Sequence, residues 1–449
     1  MSKQRIQLSD HFTYPRLLRF VLPCIGTMLF TSIYGIVDGL CVSNFVGKTA
    51  FAAVNLIMPL PMLLGTIGFM LGTGGSAIVG ITLGEGDQKK ADRYFTLFLL
   101  AALISVSVLA VLGIVFLRPI AVLLGAKGEL LDYAVRYGRI LMVSLPTFAL
   151  QNMFQSFFVT AEKPHLGFWF TVGAGCTNMV LDVLMVGIWG WGVEGAAIAT
   201  FISQLVGGVL PVFYFIDRSN SSRLHLCKTS FYSKVLRDAC INGSSELMTN
   251  LSMSLVNILY NYQLLRLAGE NGVAAYGVIM YAAFLFVAVF VGYAVGSAPI
   301  VSFHYGARNH AEVHNLYRKS LRLIAVVAVT LTLASMFIIP CVARIFVGYD
   351  AELLALTSRA FRLYAPSFLI MGFNVYASSF FTALGDGVTS ALISFLRTLA
   401  FQVIAILLLP MLLGIDGIWL AVTAAELAAL AVSAAMLLTK DKVFHYRKA

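Results

Sequence analysis

Long apolar stretches separated by short polar breaks recur along the whole chain, with few charges inside them. A membrane-spanning helix needs about 20 mostly apolar residues, and the breaks divide the chain into twelve stretches of that kind. In the first half they cover approximately 17–41, 51–83, 94–117, 133–160, 166–189 and 193–216. In the second half they cover approximately 235–265, 273–303, 320–347, 354–383, 389–412 and 416–438. Several exceed the minimum length, which implies tilt or protrusion. The stretches also repeat. Displaced by 222 positions, Ala52-Ala53 falls on Ala274-Ala275, Gly74 on Gly296, Gly84 on Gly306, Thr160-Ala161 on Thr382-Ala383 and Gly192 on Gly414. One offset without gaps predicts two copies of one unit, residues 1–225 and 226–449. The expected fold class is an all-α integral membrane protein with twelve transmembrane helices in two six-helix lobes. Six spans per copy is an even number, so both copies insert in the same direction. The lobes are then related by a pseudo-two-fold along the membrane normal, with a substrate path between them.

Composition closes off the soluble alternatives. The chain is 59% hydrophobic and 12% charged, with a mean hydropathy of +0.87, against about 45–50% apolar and about 25% charged in soluble domains. The first apolar run is full length with no small-residue cleavage site after it, and reads as a retained helix. Basic residues concentrate on the N-terminal side of the membrane: Lys89, Lys90 and Arg93; Arg218, Arg223 and Lys228; Arg318, Lys319 and Arg322; Lys440 and Lys442. This bias predicts a multi-pass protein of the cell (plasma or inner) membrane with both termini cytoplasmic. It also accounts for most of the net charge of +10, which points to anionic lipid rather than nucleic acid as its partner. Six scattered cysteines without CxxC spacing predict neither a disulfide framework nor a metal site. The chain has no GxxxxGK[ST] loop and no HExxH motif, so no ATP motor, enzyme centre or cofactor is expected.

The chemistry is sought among charges inside apolar spans, since an ionisable group at mid-bilayer costs about 2.5–3.5 kcal/mol on insertion scales. Asp38, Asp182, Glu246 and Glu426 qualify. Asp38 follows Tyr34 by one helical turn, and Asp182 follows Asn178 in the same way. The sixth span repeats the spacing with Ala196, Thr200 and Gln204, so three helices can aim polar groups inward. Two carboxylates close together in low dielectric suit a shared proton. With an amide, a hydroxyl and a backbone carbonyl they suit sodium equally well. The bland alternative has Asp182 bonded to Asn178 and Asp38 solvated at the outer surface. In the seventh span Asn242, Glu246, Asn250, Asn257 and Asn261 form a polar stripe that cannot face lipid. It either lines an aqueous cavity or bonds to neighbouring helices. Glu426 is expected to be a buried hydrogen-bonding partner. Pro23, upstream of Asp38, marks a bending point in the first span, and Pro146 and Pro366 lie in corresponding places of the two halves.

Taken in order, Tyr34 to Asp38 with Gly39, Gly72 to Gly84 followed by Asp87, Asn178 to Asp182, Gly195 to Thr200, Asn242 to Glu246 and Pro299 to Asn309 resemble the multidrug and toxic compound extrusion (MATE) family of prokaryotic type. The resemblance covers essentially the whole chain. It implies a monomeric secondary transporter that expels organic cations and amphipathic compounds in exchange for protons or sodium by alternating access. It also places the coupling-ion site at Asp38, Asn178, Asp182 and Thr200, with the Ala196 carbonyl as a ligand and Tyr34 nearby. Other branches rely on a second-lobe acid at a position resembling Glu246. The rival is a flippase of lipid-linked oligosaccharide or lipid from the same superfamily, for which a cationic central cavity is expected.

Overall fold

The computed structural model describes residues 6–46, 48–348 and 350–447; within helices, the side chains of 40–44, 48, 339, 340, 342, 345 and 346 are also outside the description. Every regular element among these residues is helical, as hydrocarbon demands of a backbone that must satisfy its own hydrogen bonds. Each predicted span is present, and most run past their apolar stretch at the ends. The first is Tyr14–Phe45. The second is broken at Met58, where Pro59 cannot donate, into Lys48–Ile57 and Pro59–Gly84. The third and fourth are Gln88–Leu123 and Glu129–Thr160. The fifth and sixth run Pro164–Ile188 and Gly192–Ile216. The seventh and eighth form one helical run, Ser233–Gly306, that reverses at Gly269 (φ 61°, ψ −151°). The ninth is His310–Val347. The tenth is interrupted between Ala351–Tyr364 and Ser367–Ala383 by Pro366, whereas Pro146 sits inside an unbroken fourth span. The paired prolines therefore act differently. The last two spans are Gly387–Leu413 and Ile415–Phe444.

The first helical turns of the fourth and tenth spans carry acidic residues, Glu129 and Asp132 in one and Glu352 in the other. Backbone irregularities recur 222 positions apart. Gly86 (φ 88°) matches Arg308 (φ 55°), and Gly192 (φ 58°) matches Gly414 (φ 60°). Asp87 and Asn309, also so related, each cap the following helix, accepting from Lys90 N and Glu312 N. Pro23 leaves the first span unbroken, and Thr27 donates to its carbonyl at 2.9 Å.

Where the two lobes meet, glycines bring backbone against backbone. A Cβ on Gly243 would lie 1.9 Å from the Met70 carbonyl oxygen, and one on Gly74 would lie 2.1 Å from that of Ala239. Nearer the chain ends, Gly84 abuts Phe303 and Gly306 abuts Ile81 through their carbonyls, while Gly292 meets Ile25 of the first span. Small residues permit this approach where lipid offers no hydrophobic drive. The same face is closed by the segment before the first span, whose Leu8 and Phe12 are fully buried. Leu8 N donates to Glu162 in the first lobe at 2.9 Å, and Phe12 N to Glu312 in the second at 2.9 Å. Asn315 and Lys319 hold the Phe12 carbonyl, and Tyr446 near the other end packs on Tyr317. Both described chain ends thus lie on one face, where the lobes are sealed together. We expect Gly243→Ala to lower stability by about 1–3 kcal/mol through overpacking. Gly277→Ala, whose Cβ would meet nothing within 4 Å, serves as the neutral control; thermal unfolding in detergent measures both. Equal melting temperatures would contradict the contact.

Candidate functional sites in the two lobes

In the first lobe the fifth span packs on the first where Gly175 leaves room for Phe30 and Tyr34. This packing brings Asp182 within electrostatic reach of Asp38. Directly after Asp182 the helix widens to π geometry over Val183–Ile188, a distortion that often marks functional sites. The sixth span fits against this widened turn, where a Cβ on Gly195 would lie 3.2 Å from Met185.

Asp182 is 0% and Asn178 is 1% exposed. Neither oxygen of Asp182, neither polar atom of Asn178, nor Oδ1 of Asp38 has a hydrogen-bond partner among the described residues. The Gln204 amide oxygen and the Thr31 hydroxyl are likewise unpartnered. Asn178 therefore does not bond to Asp182, contrary to the bland alternative above. Buried polar groups almost always find partners, and an isolated buried carboxylate costs far more than a neutral group. Buried carboxylates and an amide without partners form a group that a proton or a hard cation would complete. Tyr34 lies within electrostatic reach of Asp38. Ala196 is buried in the same apolar cluster as Val186 and Tyr137. Thr200, one turn further on and half-buried, makes no side-chain hydrogen bond to either carboxylate.

Tyr137 of the fourth span was not anticipated. Its hydroxyl faces both Asp38 and Asp182 electrostatically and makes only a long contact to Met58 Sδ at 3.9 Å. Nothing in its spacing distinguishes it from other tyrosines; only the helix packing brings it there. Among the described residues no three His, Cys, Asp or Glu side chains come together as a transition-metal site would require.

The second site is a cavity of about 580 Å³ lined by residues of both lobes. Glu246, Asn250 and Asn257 all line it, so most of the polar stripe faces the cavity. Asn242 does not: it bridges the lobes, donating to Thr382 O at 2.9 Å and Gly74 O at 3.4 Å. Asn250 turns back to the Glu246 carbonyl at 2.9 Å, and Asn261 reaches Asn257 at 3.5 Å. The walls are apolar and aromatic, with Met62, Met253, Met280, Met371 and Phe284. Tyr260, standing at the position that corresponds to Asp38, stacks on Tyr276 at 4.9 Å. Glu426 is 0% exposed and fully bonded, to Arg397 Nε at 2.8 Å and Asn374 Nδ2 at 2.7 Å. The Glu246 carboxylate makes no ion pair or hydrogen bond among the described residues. One cation thus faces two anions in the cavity, so its excess charge is acidic.

A two-lobed helical membrane protein with a polar cavity between the lobes and buried acids in each defines a secondary transporter rather than an enzyme. The profile of the MatE family matches residues 23–184 and again 247–408, and the chain belongs to that family as a multi-pass membrane transporter. It is 21% identical over 433 residues to the multidrug export protein MepA of Staphylococcus saprophyticus, covering 95% of this chain and 94% of that one. To MepA of Staphylococcus aureus (strain MSSA476) it is 21% identical over 432 residues, covering 96% and 95%. Its fold matches the outward-facing conformation of a multidrug resistance MATE transporter of the MOP superfamily, with TM-score 0.92 at 23% identity over 100% of both chains. It also matches a MOP superfamily transporter of Pyrococcus furiosus, described as having a binding pocket of reverse polarity that suggests a different function, with TM-score 0.90 at 22% identity over 100% of both.

If the first-lobe cluster is short of donors, Asp182→Asn offers Asp38 an amide hydrogen and removes one buried charge. We expect it to raise stability by about 1–3 kcal/mol, and Asp182→Ala, which offers no donor, to gain less. Thermal unfolding of the purified variants measures this; an Asp182→Asn protein that melts below wild type would contradict the orphaned-acceptor geometry.

Proposed function

We propose that this protein exports organic cations and amphipathic compounds across the cell membrane in exchange for protons or sodium. The observation that carries the reading is the division of labour between two groups of uncommitted acids. Glu246 lines a roomy, aromatic and methionine-lined cavity, while Asp38 and Asp182 lie within electrostatic reach of each other with buried oxygens that have no partner. The cavity suits a large cation that can be held by packing in many poses. The cluster suits a small ion that must be held tightly. The similarity to multidrug export proteins supports the export reading. The acidic excess of the cavity argues against a flippase of lipid-linked oligosaccharide, whose anionic head would need cations.

In this reading the lobes correspond to residues 1–225 and 226–449, the chain acts as a monomer, and the sealed face with both termini is cytoplasmic. The structure then represents the outward-open state. An ion enters the cluster formed by Asp38, Asn178 and Asp182, with Thr200, the Ala196 carbonyl and Tyr34 completing its surroundings. Its binding repositions the first span against the fifth, and because that span also packs on Gly292 of the eighth, the change reaches the cavity and releases the substrate outward. Return to the cytoplasm requires the glycine contacts and the Leu8 and Phe12 bonds to part. Each net positive charge moved inward through 100 mV supplies about 2.3 kcal/mol, enough for a concentration ratio of about fifty at 1.4 kcal/mol per decade; exchange of a monovalent cation for one coupling ion moves no net charge and draws on the ion's concentration difference alone.

The test is uptake of a fluorescent organic cation into inside-out vesicles under an imposed pH gradient and, separately, an imposed sodium gradient. We expect one gradient to drive uptake by wild type and Asp38→Asn to lose at least about tenfold of that gradient-driven rate, the loss of one charge-assisted contact or more. Unchanged ion-driven uptake by Asp38→Asn and Asp182→Asn would overturn the first-lobe coupling site.

A further inference from the structure

The segment that joins the two lobes is not a loose tether. After the sixth span it runs along the foot of the third: His225 N donates to Asp92 at 3.0 Å, Cys227 N to the Thr96 hydroxyl at 3.1 Å, and the Thr229 hydroxyl to the Arg93 carbonyl at 2.8 Å. Tyr232, just before the seventh span, then closes edge-to-face on Tyr94 of the third, with ring centroids 5.5 Å apart. These contacts hold Phe231 in place yet leave it 75% exposed. An aromatic side chain presented at a membrane–water boundary sits among lipid head groups and the first carbons of their chains. Basic side chains surround it. Lys89, Lys90 and Arg93 share one exposed face of the third span, and that face continues towards mid-membrane as exposed Leu100, Ile104 and Val111, kept in line by helical spacing. Lys228 lies in the joining segment itself, and Lys234 and Arg237 open the seventh span below exposed Ile241. Among the described residues Arg237 has Asp238 at 3.5 Å, and the other five cations have no carboxylate partner. The neighbouring acids are turned to backbone, Asp87 accepting from Lys90 N at 3.0 Å and Asp92 from His225 N, which leaves Glu85 uncommitted among the described residues.

Charge bias alone would spread lipid contact evenly over the cytoplasmic face. Here cations, an exposed aromatic ring and an apolar helix face converge on one place. The geometry points to this surface as a binding site for an anionic phospholipid of the inner leaflet, with its head group between the cations of the third and seventh spans and Phe231 among its acyl chains. Each lysine or arginine near an anionic membrane surface adds to such binding, and clusters of about four to eight mark it in sequences. The bound head group touches both lobes at once. It can keep both sets of contacts only while the two helix feet stay close, so its binding favours the state in which this face is sealed. The lipid is then a ligand that biases the transport cycle, not a cargo. The inference goes beyond the export reading and shares with it the cytoplasmic placement of this face.

The test counts the lipids that purified protein retains in native mass spectra after exchange into detergent containing equal amounts of phosphatidylglycerol and phosphatidylcholine. We expect wild type to retain phosphatidylglycerol in preference. Lys89→Gln with Arg93→Gln removes cations of the third span, and Lys228→Gln with Lys234→Gln removes those of the joining segment and the seventh span. Each pair should lower phosphatidylglycerol retention at least about tenfold. Arg318→Gln with Lys442→Gln removes the same charge elsewhere on this face and should change it less than about twofold. Phe231→Ser should weaken retention of both lipids. All the substituted side chains are exposed, so the fold is left intact. An equal loss in the Arg318, Lys442 variant would overturn the site in favour of general charge attraction. A loss confined to one of the two cation pairs would overturn the bridge between the lobes. Equal retention of both lipids by wild type would overturn the anionic head group, and displacement of the lipid by an equal concentration of inorganic phosphate would reduce the surface to a plain anion site. Retention is measured without transport, so each of these failures leaves the export reading standing, and loss of ion-driven dye uptake would strike that reading and not this site.

Discussion

Water is absent from the membrane interior, so every polar group placed there must find its partner within the chain or in what the chain transports. That constraint explains both the uniformity of the fold and its exceptions. The backbone meets it by forming helices. Glu426 meets it through Arg397 and Asn374, and the Asn242 amide nitrogen meets it by tying the seventh span to the tenth and the second. Asp38, Asn178 and Asp182 keep buried polar atoms without partners. Those unpartnered groups are the ground on which the coupling site is proposed there.

The same constraint shapes how the lobes can move. They touch along bare backbone at Gly74, Gly243, Gly84 and Gly306, so the contact has good packing and few hydrogen bonds to break. The stronger links are peripheral, where Glu162 and Glu312 hold the segment at Leu8 and Phe12. An interface of this composition is stable in the sealed state yet can separate as a unit, as alternating access requires.

Much of this architecture was legible in the sequence because apolar length and small-residue repetition are local signals. The twelve spans, the offset linking Gly192 to Gly414, and the acids inside the spans all follow from reading along the chain. What escaped depends on contacts between distant segments. Tyr137 comes within electrostatic reach of the first-lobe acids only through the packing of the fourth span against the second, third and sixth. The commitment of Arg397 to Glu426, which leaves Glu246 free, is decided by the packing of the tenth, eleventh and twelfth spans. Prolines were the least readable signal: Pro366 interrupts its span and Pro146 does not, since neighbouring helices decide whether a missing hydrogen bond becomes a break.

The central claim is that ion and substrate occupy separate, mutually exclusive sites in different lobes. Measuring the protons or sodium ions released when an organic cation is added to purified protein in weakly buffered detergent solution tests this directly. The account predicts release from wild type and from Glu246→Gln at saturating substrate, and binding without release in the Asp38→Asn, Asp182→Asn double variant. Release that persists in the double variant and disappears in Glu246→Gln would place ion and substrate on the same second-lobe acid and contradict the account.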